Sequence, residues 1–282
     1  SLGASYIADD NPPSRDDVHS IVNRIGQANV ILVNISTPIC AAVLNACPTL
    51  RFIQSWSTGT DHIDIVQAAK NDVTVKHVAN YSTESVAETT MALMLMMVNR
   101  IPEAHKDTLK GNWNYTAFSG MELKGKKIGI VGMGLIGSRV AELARAFGMT
   151  ILPVGSSANE AEWHDALSQA DILTLHCPYN THTHHLLGKK AFDSLKPGCY
   201  LVNNSRGGVV DESALLQALN NGTVAHASMD VFENEPPAND NPLLNHPRCY
   251  VTPHMAWNTR EALHRLSQKC INNIAEYVQQ SS

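Results

Sequence analysis

Three short segments concentrate the residue types that can grip a carboxylate and move a proton. Leu201-Val202-Asn203-Asn204-Ser205-Arg206-Gly207-Gly208 carries an arginine. Met229-Asp230-Val231-Phe232-Glu233-Asn234-Glu235-Pro236-Pro237 carries three acidic groups, and Val251-Thr252-Pro253-His254-Met255-Ala256-Trp257 a histidine. A guanidinium can meet a carboxylate with two parallel, charge-assisted hydrogen bonds. An imidazole, with a reference pKa near 6.5, acts as acid or base around neutrality. A carboxylate beside it favours its protonated form. Taken singly, each has an ordinary use: a surface ion pair, a solvated loop residue, a strand-end histidine. All three segments follow apolar runs that read as strands. In an open parallel sheet, ligands bind outside the carboxyl ends of the strands, so one crevice can receive all three.

A fourth segment offers a place for a dinucleotide. Lys126-Lys127-Ile128-Gly129-Ile130-Val131 reads as a strand, Gly132-Met133-Gly134-Leu135-Ile136-Gly137 follows, and a helix begins at Ser138. The glycine pattern means little alone, but here it lies between strand and helix, the context it requires. Gly132 allows the tight turn, Gly134 lets the backbone approach a pyrophosphate, and Gly137 permits close helix–strand packing. The helix start adds unpaired N–H groups and a positive dipole end. An acidic residue to hold the ribose 2′-hydroxyl of NAD is expected some 20 residues on. Gly155-Ser156-Ser157 stands there instead. Without the carboxylate, nothing repels a 2′-phosphate, and Ser156 offers it a hydroxyl; NADP is allowed as well as NAD.

The elements that must position these residues alternate. Strands are expected over 29–34, 51–57, 73–78, 126–132, 150–155, 171–176, 200–204, 226–231 and 250–252. Helices are expected between them, over 136–147 and 213–220 among others. Such alternation gives parallel α/β sheets. Runs such as Ile128–Val131 are almost wholly apolar, as suits strands covered on both faces. Residues 85–98 open with Ser85-Val86-Ala87-Glu88, a capping-box pattern, and turn apolar nearly all round, which predicts a buried helix. Residues 99–120 read as a polar linker and arm, and residues 259–280 as a helix returning the chain to its first domain.

Composition narrows the function classes. The 282 residues suggest two domains, and 44% apolar with 17% charged residues is an ordinary globular balance. A formal charge of −5 leaves no electrostatic footprint for nucleic acid or an acidic membrane. The longest apolar run, Met91 to Val98, falls far short of the ~20 residues of a membrane span. Six cysteines without a CxxC pair read as reduced thiols of a cytoplasmic protein.

Together, Gly132–Gly137, Asn204–Gly208, Asp230–Pro236 and Thr252–Ala256 resemble, in order and spacing, the D-isomer-specific 2-hydroxyacid dehydrogenase family. Thr58-Gly59-Thr60-Asp61-His62-Ile63-Asp64 and Val86-Ala87-Glu88 agree with it. The resemblance runs from about Tyr6. The family's opening strand is missing, which suggests truncation at Ser1. The stretch after Ser157 is shorter than usual, through a deleted strand or a missing loop.

The resemblance implies a Rossmann-type dinucleotide-binding domain, residues 98–262, inserted in a smaller flavodoxin-like α/β substrate domain, residues 1–97 and 263–282. It implies NAD(P)-dependent reduction of a 2-oxo acid to the D-2-hydroxy acid. Arg206 would bind the acid, His254 would protonate its carbonyl oxygen, and Glu235 would orient His254 and keep it protonated. Thr90, Leu135 and Ile136 would contact the pyrophosphate, and Ser205 and Asp230 the nicotinamide end. Cys177 would lie where the cofactor passes, and Thr58 and Gly59 would hold the substrate carboxylate. A homodimer is implied, formed through the dinucleotide domain and arms such as 99–120.

Smaller features point to the substrate. Ser55 stands where phosphoglycerate dehydrogenases carry arginine, and the run Asn80-Tyr81-Ser82-Thr83-Glu84-Ser85-Val86-Ala87 is similar to glycerate dehydrogenases, also called hydroxypyruvate reductases. Hydroxypyruvate or glyoxylate is therefore the leading substrate. Two alternatives stay open: a D-lactate-type dehydrogenase, and an NAD(H)-sensing corepressor-like binding protein. His182-Thr183-His184-His185 has the look of a metal motif, but zinc needs three or four convergent ligands. The sequence shows no carboxylate partner, so the stretch reads as a loop and no metal is expected.

Overall fold

The computed structural model describes residues 17–155 and 159–280. They form two compact units, residues 17–81 with 259–280 and Ser82–Asn258. Ser156, Ser157 and the first residues of the chain lie outside the described residues.

The first unit is built on a parallel sheet, β1 (Val30–Val33), β2 (Phe52–Ser55) and β3 (Thr74–Lys76), in the order β1-β2-β3. Helix α1 (Val18–Ile25) precedes β1, and α2 (Ala41–Ala46) and α3 (Ile65–Lys70) connect the strands. Ile21, Val43, Leu44, Leu50 and Ile53 form its core. The C-terminal helix (Arg260–Gln280) packs on β2: the Phe52 and Tyr277 rings stack 4.4 Å apart, and Asn273 Nδ2 donates to Gln54 Oε1 at 2.9 Å.

The second unit opens with α4 (Thr83–Val98) and α5 (Ile101–Leu109). A six-stranded parallel sheet follows: β4 (Lys127–Val131), β5 (Thr150–Val154), β6 (Ile172–Leu175), β7 (Cys199–Asn203), β8 (Val224–Met229) and β9 (Cys249–Val251). Its order is β5-β4-β6-β7-β8-β9. Helices α6 (Leu135–Ala146), α7 (Glu160–Gln169), α8 (Lys189–Asp193) and α9 (Glu212–Asn221) cross between strands, and the C-terminal helix is α10. The chain reverses direction across the sheet between β4 and β6, the switch point at which doubly wound sheets bind ligands. Ile128, Ile130 and Ile172 pack with Met91 and Met94 of α4 and Val140 and Ala144 of α6. Val131, Leu173 and Leu201 point the other way, to Leu167, Phe192 and Leu215. The strands are thus apolar on both faces, as their sequences predict.

All nine expected strands are present. Two local expectations are corrected. The α4 helix starts at Thr83, with Ser82 as N-cap and no side-chain cap bond. Ser85 is therefore inside the helix and makes no capping box, because its hydroxyl donates instead to Ala256 O at 2.7 Å. Residues 99–120, expected as a linker, contain α5 and a 3-10 turn, Tyr115–Phe118.

Candidate active site

The glycine turn leaves β4 for α6. Gly132 has φ +93°, and a Cβ there would lie 2.7 Å from His176 C and O. At Gly137 a Cβ would lie 2.0 Å from Gly132 O, so only glycine lets α6 sit this close to the turn. Gly134, the N-cap of α6, has nothing within 4 Å of a Cβ position. Open space thus faces the backbone where a pyrophosphate would approach. The first-turn N–H groups of Leu135, Ile136 and Gly137 have no intrahelical acceptor. These residues fit a dinucleotide phosphate. The thiol of Cys177 is pushed up by burial, the opposite of an activated nucleophile.

Arg206 follows β7 in extended backbone, φ −143° and ψ 141°. The turn is tied from inside by Asn203: its Nδ2 donates to Arg206 O at 3.0 Å, and its Oδ1 accepts from Ser205 N at 3.1 Å and Ser205 Oγ at 2.8 Å. Arg206 Nη1 donates to Ser205 O at 2.8 Å. Gly207 then brings this loop against the one after β8. A Cβ on Gly207 would lie 1.9 Å from Phe232 C, 2.0 Å from Phe232 O and 2.3 Å from Glu233 N.

Glu235 and His254 meet across these loops. Glu235 Oε1 accepts from Phe232 N at 3.1 Å, and its Oε2 lies 2.7 Å from His254 Nδ1. The carboxylate only accepts, so Nδ1 carries the hydrogen and Nε2 is left for other chemistry. His254 has φ +52°, a left-handed conformation uncommon for a residue with a side chain. Its N–H donates to Asp230 O at 2.8 Å and Thr252 O at 3.1 Å. The buried Asp230 carboxylate fixes the rest of the turn: Oδ1 accepts from Thr252 Oγ1 at 2.6 Å and Met255 N at 2.9 Å, and Oδ2 from Ala256 N at 2.9 Å.

Helix α4 holds both loops. Ser85 and Thr89 donate to Ala256 O at 2.7 and 3.3 Å, beside the His254 turn. Asn204 Nδ2 donates to Thr90 Oγ1 at 2.7 Å and to Val86 O at 3.4 Å, beside the Arg206 turn. The fully buried Thr90 hydroxyl also donates to Val86 O at 2.7 Å. Of the residues expected at the site, the fold thus brings Ser205, Arg206, Asp230, Glu235 and His254 to the ends of β7, β8 and β9, with Thr90 bonded behind them. Thr58 and Gly59 lie in the first unit, where Thr58 Oγ1 donates to Val78 O at 2.9 Å and Gly59 O accepts from Ser57 Oγ at 2.6 Å. Sequence reasoning missed Gly207, Asn204 and Ser85. Gly207 was visible only as part of a motif, and the partners of Asn204 and Ser85 lie more than 100 residues away.

The family model for the NAD binding domain of the D-isomer specific 2-hydroxyacid dehydrogenases matches residues 91–256. The chain belongs to that family. It is therefore a nicotinamide-dependent oxidoreductase. It is 33% identical over 283 residues to the hydroxypyruvate reductase of Blautia hydrogenotrophica, covering 95% of this chain and 88% of that protein. It is 39% identical over 259 residues to the D-3-phosphoglycerate dehydrogenase of Bacillus subtilis, covering 88% of this chain but only 48% of that one. The chain thus spans about half the length of this second relative. The D-lactate dehydrogenase of Aquifex aeolicus, solved with NAD and lactic acid, superposes with a TM-score of 0.84 at 31% identity, covering 92% of this chain and 85% of that one. No helix among the described residues is long and apolar enough to cross a membrane.

Proposed function

We propose that this family member reduces a small 2-oxo acid, hydroxypyruvate or glyoxylate, to the D-2-hydroxy acid. The observation that carries the reading is the 2.7 Å Glu235–His254 bond at the strand end next to the Arg206 turn. Arg206 binds the substrate through its carboxylate and carbonyl oxygens. Glu235 holds His254 with hydrogen on Nδ1, which leaves Nε2 to deliver a proton to the carbonyl oxygen. A nicotinamide cofactor held at the Gly132–Gly137 turn would supply the hydride. Thr58 and Gly59 are assigned to the substrate carboxylate by the family resemblance, and their unit is accordingly assigned as the substrate domain.

A phosphorylated substrate would need a cation near the start of that loop. Ser55 is fully buried there, its hydroxyl 2.6 Å from Ser57 Oγ and 3.3 Å from His62 Nε2. The likeness to a D-lactate dehydrogenase favours pyruvate as a second substrate candidate. Gly155 in place of a carboxylate supports use of NADPH beside NADH. Ile101, Leu109, Trp113 and Tyr115 are exposed apolar side chains along residues 99–120 and would be covered in a homodimer.

The test is kcat/KM for hydroxypyruvate, glyoxylate and pyruvate with NADH and with NADPH, repeated for Arg206→Ala and His254→Gln. Preference for hydroxypyruvate or glyoxylate, abolished by Arg206→Ala, is expected. His254→Gln should also lower kcat/KM, because glutamine cannot deliver a proton as the imidazole does. A variant with wild-type kcat/KM refutes the role assigned to that residue.

A further inference from the structure

The loop after β6 and the loop after β8 meet through His185 and Glu233, outside the site just described. We propose that His184, His185 and Glu233 form a binding site for a divalent transition-metal cation of the zinc type. One ligand atom from each of the three lies within 4.8 Å of the others, across 48 residues of sequence. Glu233 is the carboxylate partner that the His182–His185 stretch lacks in sequence.

The backbone is arranged to present this pair of imidazoles. His185 takes a left-handed conformation, φ +49°, which puts its ring beside that of His184, centroids 3.9 Å apart. His185 N–H donates to Gly208 O at 2.8 Å and Leu187 N–H to Val209 O at 3.0 Å, which fasten the loop alongside the segment after Arg206. His185 Nε2 already bonds Glu233 Oε1. Tyr179 OH lies 3.2 Å from His184 Nδ1.

Two imidazole nitrogens and a carboxylate oxygen are a donor set for Zn²⁺, Co²⁺, Ni²⁺ or Cu²⁺. Mg²⁺ and Ca²⁺ take oxygen ligands and are not suited to it. Three protein ligands leave a coordination position for water. His184 and Glu233 are exposed and His185 half-buried, so an ion can arrive from solvent and the side chains can turn from stacking into coordination. The ion would replace the direct His185–Glu233 contact. It would thereby staple the loop after β6 to the loop that carries Glu235.

The experiment titrates ZnCl₂ into chelator-stripped full-length protein by calorimetry, with MgCl₂ in parallel, and needs no turnover. One zinc ion per chain is expected, with no comparable magnesium binding. Losing an outer-shell partner costs a metal site about 10–100-fold in affinity. Loss of a ligand in His184→Ala or Glu233→Gln is expected to cost at least as much. The metal-induced rise in Tm should vanish with it, while the metal-free Tm of both variants stays at the wild-type value. The absence of saturable zinc binding would overturn the proposal. So would stoichiometric binding that both variants retain, or equal binding of magnesium.

Discussion

Replacing Gly207 by alanine probes the contact on which the arrangement of Arg206 and Glu235 depends. The added Cβ would start 1.9 Å from Phe232 C, 2.0 Å from Phe232 O and 2.3 Å from Glu233 N, all backbone atoms with no rotamer to change. Carbon atoms pack at about 3.5 Å, so the two loops must part by about 1.5 Å. Arg206 rides on one of them and Glu235, with its bond to His254, on the other. A misplacement of ~1 Å in a catalytic constellation costs about 10²-fold in rate, which is about 2.7 kcal/mol in the barrier. Gly207→Ala is therefore expected to lower kcat/KM for glyoxylate or hydroxypyruvate by about 10²-fold or more. NADH affinity should fall less than the rate, because the Gly132–Gly137 turn belongs to β4 and α6 and is left in place. The neighbouring Gly208→Ala is the control. The atoms nearest its Cβ belong to the ring of the exposed Tyr179, from 2.6 Å, and that ring can swing aside. Steady-state kinetics and NADH titration by fluorescence decide the matter. Wild-type kcat/KM in Gly207→Ala would refute the reasoning, and so would a loss of NADH binding as large as the loss of rate.

Three further outcomes follow from the same coordinates. Gly134→Ala should leave the Tm of the cofactor-free protein unchanged and weaken NADH binding, since its Cβ meets only open space; Gly137→Ala, 2.0 Å from Gly132 O, should lower the Tm. Ser85→Ala removes the 2.7 Å bond to Ala256 O. It should cost about 1 kcal/mol in urea unfolding and lower kcat while leaving the NADH Kd in place. The His176 pKa is lowered by burial to about 4. Its folded value lies below the unfolded one near 6.5, so stability is complete above pH ~6.5 and falls toward pH ~4, by up to about 3 kcal/mol. Urea midpoints across that range should flatten in His176→Asn, and an equally steep wild-type and variant profile would refute the assignment.

The strands and the glycine turn were legible because their signals are local. Unbroken apolar runs announce strands covered on both faces, and Gly132–Gly137 announces its turn by lying between such a run and a helical pattern. Ser85 shows where local reading fails. Its sequence neighbourhood fits a capping box, yet the hydroxyl bonds to a carbonyl 171 positions away, and the helix starts two residues earlier. Asn204 is similar: nothing in its neighbours indicates that its amide reaches Thr90. The Glu233 partner of His184 and His185 was invisible for the same reason. Polar side chains can satisfy themselves locally or across the fold, and sequence does not say which. Apolar periodicity carries no such ambiguity.

Proline 153 ties the organisation of the sheet to the cofactor question. In a doubly wound sheet of order 3-2-1-4-5-6, a further strand would pair with the outer edge of β5. Here β5 is an edge among the described residues, and α7 leads back to β6. Thr150 N–H bonds Lys126 O, on the β4 side, and N–H groups alternate along a strand, so the nitrogen of Pro153 points to the outer edge. A proline costs nothing there, whereas a paired neighbour would lose a ladder bond. The short connection after β5 and the proline within it are thus consistent with one another. Gly155 lies at the end of this same edge strand, where a carboxylate would otherwise face the ribose. The proline whose nitrogen faces outward and the uncharged Gly155 therefore lie at the same edge of the described sheet.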